Sequence, residues 1–359
     1  MTLNTQTIKI VISVLLISSG LFSCKSGSEH DRIDTVMKKF NKEGGFNGAV
    51  LVAEKGKIIY DTAIGYADVR THSLLDKNST FYLASLSKQF TAMGIMLLKK
   101  QKKIAYDDAI VKYFPQLPSY AKRITIRNLL NHTSGLKDYL EDEVQIIHGF
   151  SNTEVLNWLM NQKKLDFNPG EKYEYSNTGY VLLSLIIEKV SEKPFAVFMD
   201  QTIFKPLQMT HTKVIDTPTL DNDNRAIGFT KKGELDDYAI RTTGDGGIFS
   251  TAEDMFLWDQ ALYENKLIEE KRLQEAFTKP KLNNGKLSEY GFGWLIVDDN
   301  ENKVVFHTGE LNGYQTVIWR DLKREITIIM LTNMGTSFEM WPATNSILKI
   351  LKAKHYVED

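Results

Sequence analysis

The stretch YLASLSKQFTA, residues 82–92, places two serines and one lysine within four positions. A helix that begins at Ser85 would carry Lys88 three residues later, as a neighbour on the same surface. Helical side chains lean towards the amino terminus, so Lys88 would tip back over Ser85. Ser87 directly precedes Lys88 and would point about 100° away from it. The spacing therefore predicts that Ser85, and not Ser87, faces the lysine.

A serine beside a lysine becomes a nucleophile only if the lysine can give up its proton. The ordinary pKa of lysine is about 10.4, and burial or a nearby cation lowers it. The apolar neighbours Phe81, Leu83 and Phe90 favour burial of this stretch. The same pattern is also typical of a serine N-cap followed by an exposed lysine. The pair alone therefore leaves catalysis open.

Composition indicates a globular protein and excludes several kinds of function. The chain has 359 residues, 42% of them apolar and 25% charged. Lys and Arg number 44 against 45 Asp and Glu, a net charge of −1. This balance gives no electrostatic footprint for nucleic acid, so we expect no nucleic-acid partner. No P-loop, G-x-S-x-G elbow or H-E-x-x-H zinc motif occurs in the sequence.

The single cysteine, Cys24, follows an apolar run, VISVLLISSGLF, that is too short to span a bilayer. With Lys9 before the run, this resembles a bacterial lipoprotein signal, in which the chain is cut before the cysteine and the cysteine is lipidated. We expect residues 1–23 to be the signal peptide and residues 24–31 a polar tether. The lipid would anchor the protein to a membrane on the periplasmic or cell-surface side. An ordinary signal peptide or membrane anchor is the alternative.

Strand-like runs lie near both ends of the chain. Two β-rich runs flank residues 54–57, which predicts a hairpin. Four more strand-like runs, YGFGWLIVDD, KVVFHTG, YQTVIWRD and EITIIMLTN, precede a predicted final helix over 338–354. The simplest fold consistent with these runs is α+β, with one antiparallel sheet formed from the N- and C-terminal segments and flanked by helices.

Helical patterns fill the middle of the chain. Apolar spacing predicts helices over 31–42 and 85–103 and, further on, over 153–162, 179–190 and 252–263. Ser250 and Glu253 have the spacing of a capping box before the last of these.

One domain over 32–359 accommodates both patterns. We expect its sheet part at about 32–106 and 281–359. A mainly helical lobe at about 107–280 would be inserted between them.

Two further motifs follow the Ser85-x-x-Lys88 pair in order. Tyr175-Ser176-Asn177 stands before a predicted helix, and His307-Thr308-Gly309 ends a strand-like run. The ordered set S-x-x-K, Y-x-N and [KH]-T-G resembles the serine β-lactamase and penicillin-binding protein superfamily. Within that superfamily, the Tyr-x-Asn motif resembles that of the branch that contains class C β-lactamases, DD-peptidases, D-aminopeptidases and related esterases. The stretches FNGAVLVAEKGK, IRNLLNHTSGL and GDGGIFSTAEDM extend the resemblance over about residues 30–350.

The resemblance implies a role for each residue of the set. Ser85 would be the nucleophile that is acylated, and Lys88 would take its proton. Tyr175 is similar to the phenol or phenolate that passes protons to the leaving group and helps activate water. Asn177 would bind substrate and help position Lys88 and Tyr175. Tyr175 as a core residue and Asn177 as a helix N-cap are the structural alternatives.

The strand that begins at His307 would form the other wall of the site. With Thr308 and Gly309 it would bind substrate, and the backbone N–H of Glu310 would supply an oxyanion donor opposite that of Ser85. His307 stands where β-lactamases and many DD-peptidases have lysine. A histidine with a pKa of about 6.5 is only partly charged at neutral pH. Capture of a substrate carboxylate should then be weaker or pH-dependent.

The sequence therefore predicts a serine hydrolase that needs no cofactor and no metal ion. Its substrates would be small amides, D-amino acid peptides or esters. A class C-like β-lactamase is one alternative, and a non-catalytic lipoprotein that binds penicillin or peptidoglycan is another. His132, in NHTSG, is interpreted as structural because it stands where a short helix ends in a turn.

Overall fold

The computed structural model describes residues 27–141, 150–216, 224–237, 241–298, 302–335 and 338–352. The strands are β1 (Gly48–Glu54), β2 (Lys57–Ile64), β3 (Tyr66–Asp68), β4 (Ser73–Leu74), β5 (Phe81–Tyr82), β6 (Lys213–Val214), β7 (Ile248–Ser250), β8 (Leu295–Asp298), β9 (Lys303–Leu311), β10 (Tyr314–Asp321) and β11 (Ile326–Thr332). The α-helices are α1 (Glu29–Lys39), α2 (Lys88–Lys100), α3 (Ile126–Leu130), α4 (Asn152–Met160), α5 (Asn177–Ser191), α6 (Phe195–Met199), α7 (Ala252–Tyr263), α8 (Glu270–Leu273) and α9 (Met340–Ile350).

The central sheet has six strands in the order β2-β1-β11-β10-β9-β8. Every neighbouring pair in it is antiparallel. Two of the strands come from the start of the chain and four from its last quarter, so β1 pairs with β11 at the seam. The predicted α+β fold, with a sheet formed from both ends of the sequence, is confirmed.

Alternation along β11 explains why both faces of the sheet are covered. Successive side chains of a strand point to opposite faces. Ile328 and Met330 pack into a core with α1 and α9, whereas Ile329 and Leu331 pack into a larger core that includes α2 and α5. The whole of β11 is buried, as expected for a strand between two layers of helix. The larger core extends into the helical lobe.

The hairpin predicted over 54–57 joins β1 to β2. Lys55 and Gly56 have φ angles of 52° and 70°. Positive φ at both central residues is the signature of a tight two-residue hairpin turn, whose twist matches that of the strands. This turn fixes the register of β1 on β2 at the edge of the sheet furthest from β9.

Helix α2 runs through the large core and carries the opening stretch at its start. Nearly all of its side chains are buried, which confirms the expectation from its many apolar residues. A Cβ atom on Gly94 would lie 2.8 Å from the Met199 side chain and 2.9 Å from that of Ile187. The glycine therefore permits close packing of α2 against the helical lobe.

Two local predictions need correction. Ser85 lies in a 3₁₀ helix, Ala84–Ser87, and the α-helix begins only at Lys88. The cap of α7 is Thr251, whose side chain accepts from the Asp254 N–H, whereas Ser250 ends β7. Pairing of Ser250 in the small sheet β5-β7-β6 competes with the cap that its spacing from Glu253 predicts.

The amino-terminal prediction falls mainly on residues 1–26, outside the described residues, and this includes Cys24. The polar tether predicted over 24–31 is shorter than expected, because α1 begins at Glu29. Ser28 caps that helix: its side chain accepts from the Asp31 N–H, and the Asp31 side chain accepts from the Ser28 N–H. Within the described residues, no helix combines the length and the hydrophobicity needed to cross a membrane.

Candidate active site

Ser85 and Lys88 meet at the start of α2. A 3₁₀ helix has three residues per turn, so side chains at i and i+3 stand one above the other. Lys88 Nζ lies 3.0 Å from Ser85 Oγ and donates to it. Ser87 points elsewhere, since its Oγ accepts from the backbone N–H of Ile248 at 3.4 Å. The structure therefore brings together the pair that the spacing predicts.

The Lys88 ammonium is fully buried and fully hydrogen-bonded. Besides Ser85, its Nζ donates to Asn177 Oδ1 and to the Asp245 carbonyl oxygen, both at 2.8 Å. Three acceptors match the three protons of an ammonium. Burial lowers the pKa of Lys88 to about 8, and the charges of Asp245 and Asp138 act in the opposite direction. An appreciable fraction of Lys88 is thus a neutral amine at mildly alkaline pH.

Asn177 is held in place from behind by Asp138. Its backbone N–H and its Nδ2 donate to Asp138 Oδ2 at 3.0 and 2.8 Å, which leaves Oδ1 to accept from Lys88. Asn177 is the first residue of α5, and Ser176 occupies the N-cap position. The N-cap alternative for Asn177 is therefore wrong, and its side chain belongs to the lysine site.

Tyr175 lies beside the pair, with Lys88 Nζ 4.9 Å from its ring centroid. Burial raises the pKa of Tyr175 well above 10, and a hydrogen bond with Ser85 opposes this rise. Of the two groups beside Ser85, Lys88 is therefore the one that loses its proton more readily. Tyr175 is a phenol rather than a phenolate around neutral pH.

His132 supports the Tyr175 segment. Its Nδ1 accepts from the Ser176 backbone N–H at 3.1 Å. Its ring lies 4.2 Å from that of Tyr175 and 4.4 Å from that of Tyr290, measured between centroids. Burial lowers the pKa of His132 well below 6.5, so the imidazole is neutral. These contacts fit a structural role for His132.

His307 faces the same aromatic cluster from β9. Its Nδ1 donates to the Thr308 carbonyl oxygen at 2.5 Å, and its Nε2 accepts from the Tyr290 hydroxyl at 2.8 Å. Burial, followed by the charge of Lys88, lowers the pKa of His307 to about 3. The expectation of a partly charged His307 at neutral pH is therefore wrong: the ring is neutral and both its nitrogens are engaged.

Strand β9 approaches Ser85 most closely at Gly309. A Cβ atom there would lie 2.2 Å from the Leu83 carbonyl oxygen and 3.0 Å from the Ser85 nitrogen. Only glycine fits so close a backbone approach. Strand β8 pairs with β9 no further than Phe306, so among the described strands residues 307–311 have β10 alone as a neighbour. The Ser85 N–H and the edge that includes Thr308 and Glu310 thus lie side by side.

Cavity volume does not by itself locate the site. A cavity of about 590 Å³ is lined by residues of α3 and of the segment 278–283 and contains none of the predicted site residues. Another, of about 460 Å³, is lined by Thr308, Gly309, Glu310 and the start of α9. We therefore place the site by the convergence of Ser85, Lys88 and β9.

Sequence reasoning missed the buried residues that support the lysine. Asp138 lies in a loop before α4, Tyr139 begins the 3₁₀ helix Tyr139–Glu141 that follows it, and Asp245 lies before β7. The stretch GDGGIFSTAEDM belongs to the resemblance, yet nothing in it singles out Asp245 as a neighbour of Lys88.

In the described part of the chain, no group of three or more His, Cys, Asp or Glu side chains is placed to hold a metal ion.

Comparison with known proteins identifies the family of the chain. The Beta-lactamase family model matches residues 33–348, so the chain belongs to the β-lactamase family. The protein is thus a serine hydrolase of the β-lactamase-related class, in which the Ser85–Lys88 pair is the candidate catalytic centre.

Among curated proteins, the chain is 35% identical over 354 residues to penicillin-binding protein 4* of Bacillus subtilis. The match covers 92% of this chain and 76% of that protein. Protein flp of Staphylococcus aureus is 26% identical, over 87% of this chain and 65% of its own length.

Solved structures share the fold. A D-amino acid amidase from Ochrobactrum anthropi SV3 superposes with a TM-score of 0.76 at 23% identity, covering 90% of this chain and 99% of that one. A class C β-lactamase gives a TM-score of 0.77 at 22% identity, with 92% and 97% covered.

Proposed function

We propose that the protein hydrolyses small amides, D-amino acid peptides or esters through an acyl-enzyme on Ser85. The observation that carries this proposal is the 3.0 Å hydrogen bond between Lys88 Nζ and Ser85 Oγ, with Lys88 buried and its pKa lowered to about 8. A buried amine of lowered pKa, within hydrogen-bond reach of a hydroxyl, is an arrangement that activates a nucleophile.

In the acylation step, Ser85 Oγ attacks the substrate carbonyl carbon while its proton passes to the neutral amine of Lys88. The carbonyl oxygen becomes an oxyanion, which the backbone N–H groups of Ser85 and Glu310 would stabilise. The C–N or C–O bond then breaks. The leaving group takes a proton by way of the Tyr175 hydroxyl, which is replenished from the Lys88 ammonium.

Deacylation repeats these transfers with water as the nucleophile. A water molecule gives a proton to Lys88 through Tyr175 and attacks the acyl carbon, and the Ser85 oxygen leaves and recovers a proton. Tyr175 starts as a neutral phenol because burial raises its pKa. It can therefore accept one proton only as it donates another, which suits a relay better than an independent base.

The chemistry around His307 favours substrates without a free carboxylate, such as amides and esters, over β-lactams. A neutral imidazole with both nitrogens engaged offers no cation to a substrate carboxylate. The relatives include a penicillin-binding protein and, by fold, a D-amino acid amidase and a class C β-lactamase. A D-amino acid amide, the kind of substrate for which the amidase is named, carries no free carboxylate. A non-catalytic binder is disfavoured because Ser85, Lys88 and Tyr175 are all in place.

A substrate panel tests the proposal. The mature domain is incubated separately with a D-amino acid amide, a D-Ala-D-Ala peptide, a p-nitrophenyl ester, a chromogenic cephalosporin and a fluorescent penicillin. We expect turnover of the amide, peptide or ester to exceed that of the cephalosporin. Folded protein that turns over none of these compounds and takes up no acyl group would overturn the enzyme proposal. Preferred hydrolysis of the cephalosporin would favour the β-lactamase alternative.

Replacing His307 with lysine is expected to improve the binding of carboxylate-bearing substrates. A charge-assisted hydrogen bond contributes about 1.5–3 kcal/mol, so KM for a D-Ala-D-Ala peptide should fall by roughly tenfold or more above pH 7. The matched comparison is a D-amino acid amide, which lacks the carboxylate and whose KM should not fall. His307→Gln, a neutral replacement, controls for the lost Tyr290 contact. An equal change of KM for both substrates would contradict this role for position 307.

We also propose that the protein is anchored in a bacterial envelope by a lipid on Cys24, facing the periplasm or the cell surface. Support comes from the sequence alone, where the single cysteine follows a short apolar run. Two or more acyl chains anchor a protein stably, whereas one chain does not. Cys24→Ser is expected to move the protein from the membrane fraction to the soluble one and to abolish incorporation of labelled fatty acid. Unchanged labelling would disprove the assignment.

A further inference from the structure

Asp245 contacts Lys88 through its backbone and acts on it through the charge of its side chain. Its backbone carbonyl oxygen accepts from Lys88 Nζ at 2.8 Å. Its carboxylate is also buried, and Oδ2 accepts from the Tyr139 hydroxyl at 2.7 Å. Oδ1 is buried as well and has no hydrogen-bond partner among the described residues. A buried carboxylate with one oxygen unpaired is costly unless a cation stands close by.

Lys88 is the cation that fits this requirement. Its charge lowers the pKa of Asp245, against the larger effect of burial, which raises it. In return, the charge of Asp245 favours the protonated form of Lys88. Other groups also act on one or both of the pair. They are Asp138, Tyr139, Tyr175, Tyr180, His132 and His307.

We propose that the Tyr139–Asp245 pair is a positioning and charge-setting device for the catalytic lysine. The Asp245 carbonyl fixes Lys88 Nζ in place, and its carboxylate supplies the buried counter-charge. Tyr139 keeps that carboxylate ionised by donating to it. Tyr139 is itself anchored to α5, since its backbone N–H donates to Thr178 Oγ1 at 2.9 Å. The inference rests on the proposed role of Lys88 as the base, but no part of that role requires Asp245.

Asp245→Asn isolates the charge, because asparagine keeps the backbone carbonyl and the side-chain shape. An oxygen acceptor for Tyr139 also remains. The readout is the second-order rate constant for acylation of Ser85 by a fluorescent penicillin or an activated ester, measured against pH. This constant reports the base of the free enzyme. For the wild type we expect this rate constant to fall as the pH drops below about 8, because Lys88 is then protonated. This fall is the acidic limb of the pH profile.

In Asp245→Asn the acidic limb is expected to move down by about one pH unit, because loss of an opposite charge disfavours the protonated lysine. At pH 7 the rate would then rise from about a tenth of its plateau to about a half. Tyr139→Phe should move the limb in the same direction and by no more, and it serves if Asp245→Asn does not fold. Asp254→Asn is the matched control, since Asp254 is a buried carboxylate that instead accepts from His211 and Thr212.

The outcomes separate this inference from the proposed function. A wild type that is never acylated would overturn the proposed function itself. A wild type with a normal acidic limb, beside folded variants whose rate falls equally at every pH, would overturn the inference alone. An equal shift of the limb in Asp254→Asn would also overturn it, because Asp254 neither accepts from Lys88 nor is among the charges that act on its pKa.

Discussion

The Ser85→Ala variant is expected to lose at least about 10³-fold in turnover of every substrate and to form no covalent adduct. Among the described residues, no hydroxyl other than that of Ser85 accepts a hydrogen bond from Lys88 Nζ. Its Oγ receives the Lys88 Nζ at 3.0 Å and hydrogen-bonds with Tyr175, and its backbone nitrogen lies against Gly309 of β9. Steady-state kinetics and intact-mass measurement of the same preparation give the result.

Ser87→Ala is the matched control for this prediction. Ser87 is completely buried two residues away, and its Oγ contacts the Ile248 N–H rather than Lys88. This variant should keep its adduct and most of its turnover, with at most a modest loss of stability. If Ser87→Ala lost the adduct and Ser85→Ala retained it, the nucleophile would be the other serine of the opening stretch.

Lys88→Met is expected to slow acylation by about 10²–10⁴-fold, the usual contribution of a general base. Methionine has a similar length and fills the buried space without an ionisable group. The Asn177 Oδ1 and Asp245 carbonyl oxygen would lose a donor, so the free energy of unfolding should also fall. Acylation rate constants, with thermal unfolding of the same sample, separate loss of the base from loss of the fold.

Lys99→Met provides the comparison within the same helix. Lys99 lies near the end of α2 and pairs with Glu275 at 2.8 Å, away from Ser85. Its replacement should leave the acylation rate nearly unchanged. Lys88→Met with wild-type acylation rates across the pH range would exclude lysine as the base and would move that role to Tyr175.

Residue spacing predicted the parts of the site that are local in the chain. The i,i+3 relation placed Lys88 over Ser85 whether the segment is α-helical or 3₁₀. Strand-like runs between turn residues predicted β9 to β11, and a strand buried on both faces, such as β11, reads as a nearly continuous apolar run. The ordered set of motifs carries the family resemblance. That resemblance predicted that Tyr175, Asn177 and His307 share one site with Ser85.

Residues that act through burial were not predictable in this way. Asp138 and Asp245 come from loops and Tyr139 from a single 3₁₀ turn, where no periodicity indicates which side chain turns inward. The pKa of His307 is lowered by burial and by the charge of Lys88, which lies far from it in sequence. A reference pKa near 6.5 therefore gave the wrong charge. The cap of α7 moved from Ser250 to Thr251 because strand pairing of Ser250 is a long-range contact.

The charge pattern also bears on substrate choice. At neutral pH the described site holds the Lys88 ammonium, while His307 and His132 are neutral. The single buried cation is engaged by Ser85, Asn177 and Asp245. A free substrate carboxylate therefore finds no strong partner among these groups, which is why amides and esters are the preferred substrates of the proposal.

The most direct test of the account is to locate the acyl group on the protein. The mature domain is incubated with a fluorescent penicillin and, separately, with an activated ester, then quenched, digested and mapped by tandem mass spectrometry. The account predicts one acyl group per chain, on Ser85, absent from Ser85→Ala and present in Ser87→Ala. An adduct on any other residue, or the same adduct in Ser85→Ala, would contradict it.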